Sequence, residues 1–375
     1  MSGYFARTDT SVLSRWWWTV DKWSLGALAV LTAIGALLIY AAGPAAASRI
    51  GLDSFHFVRQ QTVLLPIAFA LLLATSLLSA RSVKRVAVIF FFVALAATAL
   101  TNVIGAEQNG AQRWLNLAGR SFQPSEILKP TLAVFTAWMI AQGRRQVAFP
   151  GMSIALAAAG IVVGLLVLQP DLGTAGLVVA ICLVQLFVAG ISFYWVGSIA
   201  GLGLSGMVGA YYAFPHVAGR INAFRNPAGS DTYQIDRALE AFSNGGLLGR
   251  GPGEGTVKAL LPDAHSDFVF AVAGEEFGLL VSLAIVALYA FVVLRGMARV
   301  HAEGNLFVLL ASVGLLAGFG IQALINMASS LNLIPTKGMT LPFLSYGGSS
   351  LLALALGMGM LLALTRRGAG SVGNP

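Results

Sequence analysis

The sequence is poor in cysteine and in charge. Its single cysteine, Cys182, lies within an apolar run, which excludes a disulfide framework and a cysteine-ligated metal site. Charged residues make up 10% of the 375 residues and hydrophobic residues 57%, whereas an ordinary soluble domain has about 25% charged residues. The chain is therefore predicted to be an all-α polytopic membrane protein and not a soluble domain.

The excess of positive charge has a pattern of its own. The chain carries 23 Lys and Arg against 15 Asp and Glu, a net charge of +8. Much of this charge lies in short clusters between apolar runs, which is typical of membrane topology and does not indicate a nucleic-acid partner. The glycine-rich stretch 251–255 follows no strand pattern and opens no helix pattern, so a phosphate-binding loop is also excluded.

Ten membrane spans are predicted from the apolar runs. A transmembrane helix needs about 20 mostly apolar residues. Runs of this kind begin near Trp23, Gln61, Val86, Val147, Leu172, Phe277, Gly304 and Gly338. The run at 172–219 is too long for one helix, and Gly190-Ile191-Ser192 divides it into two. A segment at 126–142 that contains Lys129 and Pro130 completes the ten as a span with a polar start.

Basic clusters set the orientation of these spans. They follow the second, fourth, eighth and tenth spans, and short loops rich in Lys and Arg stay in the cytoplasm. Both termini are therefore predicted to be cytoplasmic. The predicted order is a cytoplasmic segment at 1–22, a membrane domain at 23–367 and a cytoplasmic tail at 368–375. A large extracytoplasmic loop at 215–266 separates spans seven and eight.

Two outer segments are basic, against the usual rule. The loop at 215–266 and the segment at 106–123 carry the following cations: Arg220, Arg225, Arg237, Arg250 and Lys258, and Arg113 and Arg120. Long loops escape the positive-inside rule, so one interpretation is solvated charge without a role. The other is a cationic surface for an anionic lipid head group at the outer face.

The most unusual polar residues lie around the start of the eighth span. His265, Ser266 and Asp267 crowd together before an apolar helix, and Glu275 follows inside it. Ser266 or Asp267 could simply cap that helix. The alternative is a functional carboxylate, because an ionisable group at membrane depth is costly and is usually retained for a role. Glu275 is expected to form a salt bridge with an intramembrane Lys or Arg.

Two glycines favour the functional interpretation of Asp267. Gly274 and Gly278 follow Asp267 by seven and eleven residues, which places them on the same face of a regular helix. A carboxylate above a glycine-lined groove would suit a lipid-linked substrate.

Other polar groups interrupt the spans, and each has a structural alternative. Lys129 would either extend to the interface or pair with a buried carboxylate. Asp171, which follows Gln169 and Pro170, would cap the sixth span. Ser345 begins a run of small residues that would allow close helix packing within the tenth span.

Together these segments resemble the shape, elongation, division and sporulation (SEDS) family. The resemblance covers about residues 23–367 and rests on five motifs in order: Arg113-Trp114-Leu115 with Gln123-Pro124-Ser125-Glu126 and Lys129; Gln169-Pro170-Asp171-Leu172-Gly173-Thr174; Arg220-Ile221 with Tyr233-Gln234; Ala264-His265-Ser266-Asp267-Phe268 with Gly274-Glu275-Glu276; and Pro335-Thr336-Lys337-Gly338 with Leu341-Pro342 and Ser345-Tyr346-Gly347-Gly348-Ser349. Thr340-Leu341-Pro342 and Ser349-Ser350-Leu351 look more like the division branch than the elongation branch.

The resemblance implies a peptidoglycan glycosyltransferase that polymerises lipid II at the outer face of the bacterial cytoplasmic membrane, with inversion at the anomeric carbon. A sugar hydroxyl is a poor nucleophile that needs a base, and Asp267 is the matching residue. The leaving lipid pyrophosphate needs cations, for which Arg113, Lys129, Arg220 and Lys337 are the candidates. Glu275 would orient one of them. The supporting residues are His265, Glu275, Glu126, Asp171 and Ser345.

The motifs identify no cofactor, but the chemistry is compatible with a divalent cation, Mg²⁺ or Mn²⁺, for which Asp267 would be the nearest neighbour. The partners that the resemblance implies are a class B penicillin-binding protein and other membrane proteins of the division septum. Two other functions stay open: a lipid II flippase, and a scaffold without catalysis. The clustering of polar residues at the outer end of the spans argues against the flippase.

Overall fold

The computed structural model describes residues 11–108, 111–117, 120–226, 232–301 and 303–366. Residues 1–10 of the predicted N-terminal segment and residues 367–375, which include the predicted tail, lie outside the described residues. The described helices are α1 (Val12–Thr19), α2 (Lys22–Arg49), α3 (His56–Ser76), α4 (Ala80–Ile104), α5 (Pro124–Arg145), α6 (Gly151–Leu168), α7 (Leu172–Val188), α8 (Phe193–Ala213), α9 (Pro215–Arg225), α10 (Tyr233–Gly245), α11 (Val269–Val300), α12 (Leu306–Ser330) and α13 (Gly348–Leu364).

The chain is a multi-pass membrane protein. Within the described residues, seven helices are long and apolar enough to cross a membrane: α2, α3, α4, α6, α8, α11 and α12. Two shorter apolar helices, α7 and α13, and the polar-starting α5 follow the predicted order of spans. The break at Gly190 is confirmed, because α7 ends at Val188 and α8 begins at Phe193. That all ten helices cross the membrane stays a prediction.

Helix α5 lies at the centre of the helical bundle. It packs against α4, α6, α12 and α13, and nearly all of its residues between Pro124 and Ala141 are buried. A helix enclosed by protein can carry polar groups that a lipid-facing helix cannot. This position explains how a helix with Glu126 and Lys129 near its start is accommodated.

An ion-pair cluster joins the start of α2 to the end of α11. Arg295 donates two hydrogen bonds of 2.8 and 3.0 Å from Nε and a third of 2.9 Å from Nη2 to the buried carboxylate of Asp21. Arg299 lies 3.2 Å from the same carboxylate. Both helix ends therefore lie on one side of the bundle, as the predicted topology requires.

Both segments that were predicted to lie at the outer face are more ordered than simple loops. The first forms an antiparallel sheet of β1 (Ala106–Gln108), β2 (Ala111–Leu117) and β3 (Arg120–Phe122), with β2 in the middle. The second contains α9, α10 and a 3₁₀ turn at Val257–Ala259. Helix α10 is short and amphipathic, and it buries Ile235, Ala238 and Ala241. Such an element contains no long apolar run, so the search for membrane spans did not detect it.

The predicted glycine-lined groove below Asp267 is wrong. Helix α11 is interrupted at Gly278, where φ is 75° and ψ is −173°, so the helical spacing from Asp267 to Gly278 does not hold. A Cβ on Gly274 would overlap the ring of Phe242, and one on Gly278 would meet the backbone of Leu247 at 2.6 Å. Because these two glycines have no side chain, α10 and the chain after it pack directly against α11. This packing fills the space that was predicted to be a lipid groove.

Replacing Gly278 with alanine is expected to destabilise the protein. A positive φ costs about 1–3 kcal/mol for a residue with a side chain, and the added Cβ would also push against the Leu247 backbone. A detergent-solubilised G278A protein should show a clearly lower melting temperature than the parent. Gly164→Ala in α6 is the matched control, because its Cβ would meet no atom within 4 Å, and an unchanged G278A melting temperature would refute this account of the kink.

The tenth apolar helix begins later than predicted. Residues 331–347 form an irregular segment, and α13 starts only at Gly348. Positive φ angles at Asn332 and Phe343 and the ring of Pro342 are incompatible with a continuous helix. Ser345 consequently lies before the helix, and not within it.

Candidate active site

Asp267 lies in the turn that leads into α11, and it does not cap that helix. The N-cap residue is Phe268, and no side chain makes a capping hydrogen bond there. The turn is closed by the Asp263 carbonyl, which accepts hydrogen bonds from the N–H groups of Ser266, Asp267 and Phe268. The Asp267 carboxylate is therefore not used by the helix start, which removes the capping interpretation.

The surroundings of Asp267 raise its pKa. Burial disfavours the charged form, and the negative charge of Asp263 adds to this, while Arg220 acts in the opposite direction; the pKa rises from 3.8 to about 7. A carboxylate with a pKa near the working pH is well suited to accept and release a proton.

One cation, Arg220, and the segment that carries Lys337 lie near this carboxylate. Arg220 is exposed on α9 and is close enough to lower the pKa of both Asp267 and Lys337. Burial lowers the pKa of Lys337 most, Arg220 lowers it further, and Asp171 opposes the shift. The next residue, Gly338, approaches so closely that a Cβ there would lie 2.9 Å from Asp267 Oδ2. The structure thus places Arg220 near Asp267 and the backbone at 337–338 beside it, whereas the Lys337 side chain passes Gly173 and interacts with Asp171.

Arg113 connects the sheet to the C-terminal end of α6. Its Nε donates to the Gln169 carbonyl at 2.9 Å and its Nη2 to the Pro170 carbonyl at 2.5 Å. Nη1 lies 3.9 Å from Asp171, which in turn accepts the Thr174 N–H at the start of α7. The predicted cap by Asp171 is confirmed. Arg113 thus stabilises the turn between α6 and α7, while its side chain stays 28% exposed.

Lys129 pairs with a buried carboxylate, which is the second of its two predicted interpretations. Its Nζ lies 2.8 Å from Glu126 Oε2 and donates to Glu126 Oε1 and Gln322 Oε1 at 2.9 Å each. Both side chains of the ion pair are about nine-tenths buried. A cavity lined by α5, α7, α12 and α13 borders the pair. This geometry gives Lys129 a structural partner instead of a place beside Asp267.

Glu275 binds backbone and not a cation. Its carboxylate accepts the N–H groups of Thr256, Val257 and Lys258 at 2.8–3.0 Å. Glu276, in contrast, forms a buried ion pair with Lys258. The expected salt bridge of Glu275 is therefore wrong, because an unpaired run of backbone donors at the 3₁₀ turn satisfies the carboxylate instead.

The cations of the outer loop are only partly available. Lys258 is buried against Glu276, and Arg237 pairs with Glu240 on α10. Arg220, Arg225 and Arg250 are exposed. A cationic outer surface can therefore be formed by these three residues but not by the whole set.

His265 and Ser345 fix the Asp267 turn to the segment before α13. The Tyr346 N–H donates to the His265 carbonyl at 2.9 Å, and the Ser345 hydroxyl donates to the Ser266 carbonyl at 2.5 Å. The His265 ring stacks on Phe57 with a centroid distance of 4.2 Å. Burial lowers the pKa of His265. Both residues therefore shape the turn that carries Asp267.

Three contact residues on α12 were not predicted. Gln322, Asn326 and Ser329 are buried and hydrogen-bond to the segment 337–340. Their spacing of four and three residues puts them on one helix face. This spacing of polar residues in an apolar span could have predicted a buried contact, because polar side chains within a membrane usually have a hydrogen-bonding partner.

The described residues contain no cluster of three or more His, Cys, Asp and Glu side chains able to hold a metal ion. The two carboxylates of Asp263 and Asp267 are near each other in one turn. Mg²⁺ usually binds one or two carboxylates together with substrate phosphates. This pair fits such a shared site, but it does not form a cage made by protein alone.

Sequence comparison matches nearly the whole chain to known proteins. A family model described as "Cell cycle protein", for FtsW, RodA and SpoVE, matches residues 22–369. A probable peptidoglycan glycosyltransferase FtsW from Caulobacter vibrioides is 46% identical over 370 residues, which cover 98% of this chain and 95% of that protein. The stage V sporulation protein E of Bacillus subtilis is 31% identical over 351 residues, covering 90% of this chain and 94% of that protein.

Solved structures share the fold. A chain of a peptidoglycan synthase complex that coordinates polymerization and crosslinking superposes with a TM-score of 0.75 at 27% identity, covering 92% of this chain and 97% of that chain. The rod shape determining protein RodA of Thermus thermophilus gives a TM-score of 0.69 at 28% identity, covering 94% and 98%.

Proposed function

Because the chain belongs to the cell cycle protein family of FtsW, RodA and SpoVE, we propose that it is a peptidoglycan glycosyltransferase that polymerises lipid II at the outer face of the cytoplasmic membrane. The observation that carries the mechanism is that the Asp267 carboxylate lies near Arg220 and beside the segment that carries Lys337. A carboxylate base close to cations suits a displacement whose leaving group is a pyrophosphate.

Asp267 is the general base. It accepts the proton of the acceptor sugar hydroxyl while that oxygen forms a bond to the anomeric carbon of the donor. The bond from this carbon to the pyrophosphate oxygen breaks, and undecaprenyl pyrophosphate leaves with the electron pair. One displacement inverts the anomeric carbon. The raised pKa of Asp267, about 7, lets it take up this proton at neutral pH.

Arg220 and Lys337 neutralise the charge that develops on the leaving pyrophosphate. Arg113, which remains partly exposed at the corner next to Asp171, would extend this cationic surface. Lys129 acts at a distance: through Gln322 it supports the segment that carries Lys337.

Asp267 and Asp263 are the residues that would hold a divalent cation together with the substrate phosphates. Such a cation would supply neutralisation of pyrophosphate charge. A solved relative belongs to a complex that coordinates polymerization and crosslinking. We infer that this chain likewise acts with a class B penicillin-binding protein and, as its division-type relatives indicate, with other membrane proteins of the septum.

Purified protein with labelled lipid II tests this function against transport. The expected result is a ladder of glycan polymer, formed by the parent in detergent, where no membrane separates two compartments. A parallel assay in liposomes follows translocation of a fluorescent lipid II. Translocation without polymer, with the crosslinking partner present or absent, would support a flippase and overturn the proposal.

A further inference from the structure

Helix α12 carries a polar face that the proposed reaction does not use directly. Gln322, Asn326 and Ser329, here called the α12 polar stripe, are exposed by 2%, 0% and 4%. Amide and hydroxyl groups buried at membrane depth are costly unless they are bonded. What they bond to therefore indicates why they are there.

The α12 polar stripe forms three hydrogen bonds with the backbone of the irregular segment before α13. The Ser329 hydroxyl accepts the Lys337 N–H at 3.1 Å. The Asn326 Nδ2 donates to the Met339 carbonyl at 2.6 Å, and the Gln322 Nε2 donates to the Thr340 carbonyl at 2.9 Å. The segment has no helix of its own to hold it, so these side chains supply the bonds that regular structure would provide.

Asn326 also reaches the turn of the proposed base. The same Nδ2 donates to the Asp267 carbonyl at 2.8 Å. One amide thus holds the backbone of Asp267 and the backbone two residues after Lys337. Gly338 lies between them without a Cβ, which allows the segment to pass beside the Asp267 carboxylate.

We propose that the α12 polar stripe is a positioning device that fixes the Asp267 turn relative to the backbone of the segment that carries Lys337 for glycosyl transfer. The inference rests on the proposed function of Asp267 and Lys337. Misplacing a reacting group by about 1 Å can lower a rate by about 10²-fold. Asn326 is therefore a positioning residue, and it touches neither sugar nor pyrophosphate.

A purely structural role would give a different result, and α7 supplies the matched control. Gln185 is fully buried, and its Nε2 donates to the carbonyls of Ala133 and Leu310 at 2.7 and 3.1 Å. It joins α7 to α5 and α12 away from the Asp267 turn. Gln185→Leu therefore removes a buried amide of the same type without touching the proposed site.

The test compares Asn326→Leu, Ser329→Ala and Gln185→Leu in the polymerisation assay, with turnover expressed per folded molecule. Asn326→Leu should lower kcat about 10- to 100-fold and leave the KM for lipid II close to the parent value, because the change misplaces the base and does not remove a substrate contact. A purely structural loss would lower the folded fraction and leave kcat per folded molecule unchanged. Ser329→Ala, a smaller change that should fold normally, should lower turnover about 3- to 10-fold.

Gln185→Leu should lower the melting temperature but keep the parent kcat and the parent KM for lipid II. Equal turnover in Asn326→Leu and Gln185→Leu would overturn the positioning role, and so would a Ser329→Ala enzyme that matches the parent. If Asn326→Leu does not fold, Ser329→Ala decides alone. A parent protein that makes no polymer would instead contradict the proposed function, which separates the two failures.

Discussion

Asn in place of Asp267 is expected to lower polymerisation by about 10²–10⁴-fold, the range that a positioned general base contributes. The amide keeps the size of the carboxylate but cannot accept the hydroxyl proton. The fold should remain, because no helix cap and no ion pair depends on this side chain among the described contacts. Polymer formed from labelled lipid II measures the effect.

The same substitution should make the protein more stable near neutral pH. The folded state raises the pKa of Asp267 from 3.8 to about 7, so burying the ionised form opposes folding. This penalty is absent below about pH 4, grows as pH rises toward 7 and is complete above it. D267N lacks the penalty, so its gain in melting temperature over the parent should be larger at pH 8 than at pH 5.

An exposed carboxylate between α2 and α3 provides the control for both effects. Asp53 pairs with Arg59 at 2.7 Å, and both side chains are more than half exposed. Asp53→Asn should change neither polymerisation nor the pH dependence of melting, since exposed pairs contribute little. Polymerisation by D267N at the parent rate would remove Asp267 from the mechanism.

Loss of the Lys129 ammonium is expected to have the largest effect on stability. Lys129→Met leaves the Glu126 carboxylate buried without its cation, and breaking a buried pair costs about 3–5 kcal/mol. It also removes the hydrogen bond from Nζ to Gln322. The variant should show a large fall in melting temperature and a reduced monodisperse fraction in size-exclusion chromatography.

The double variant Lys129→Met with Glu126→Gln should recover much of this stability, because it leaves no unpaired buried charge. Arg59→Met, which breaks the exposed pair with Asp53, is the control and should melt like the parent. A stable Lys129→Met protein with a raised KM for lipid II would contradict the structural role. It would instead place the ammonium in contact with the pyrophosphate.

The order of the helices could be predicted because each span needs a long apolar run, and basic clusters alternate with these runs. The Asp171 cap could also be predicted, since a carboxylate after Pro170 and directly before an apolar helix is a local sequence signal for an N-cap. The sheet at 106–122 was missed because its strands are short, with three, seven and three residues.

Long-range contacts could not be predicted from spacing. Gly274 and Gly278 were placed on one face of an ideal helix, but the positive φ at Gly278 ends that periodicity. Glu275 was expected to bind a cation, but the nearby 3₁₀ turn offers three backbone donors from residues that lie 17–19 positions away. The sequence showed that these glycines and this carboxylate were unusual in an apolar helix. Only the fold showed which residues they contact.

The pH dependence of polymerisation tests the base role of Asp267 most directly, because loss of activity in D267N alone would also fit a role in substrate binding. At lipid II concentrations well below KM, where the rate reports the free enzyme, the parent rate should fall about tenfold per pH unit below a midpoint near 7. Asp263→Asn removes a like charge and should move this midpoint to lower pH. Arg220→Gln removes the charge that lowers the pKa and should move it to higher pH. A midpoint that stays in place in both variants would contradict Asp267 as the base.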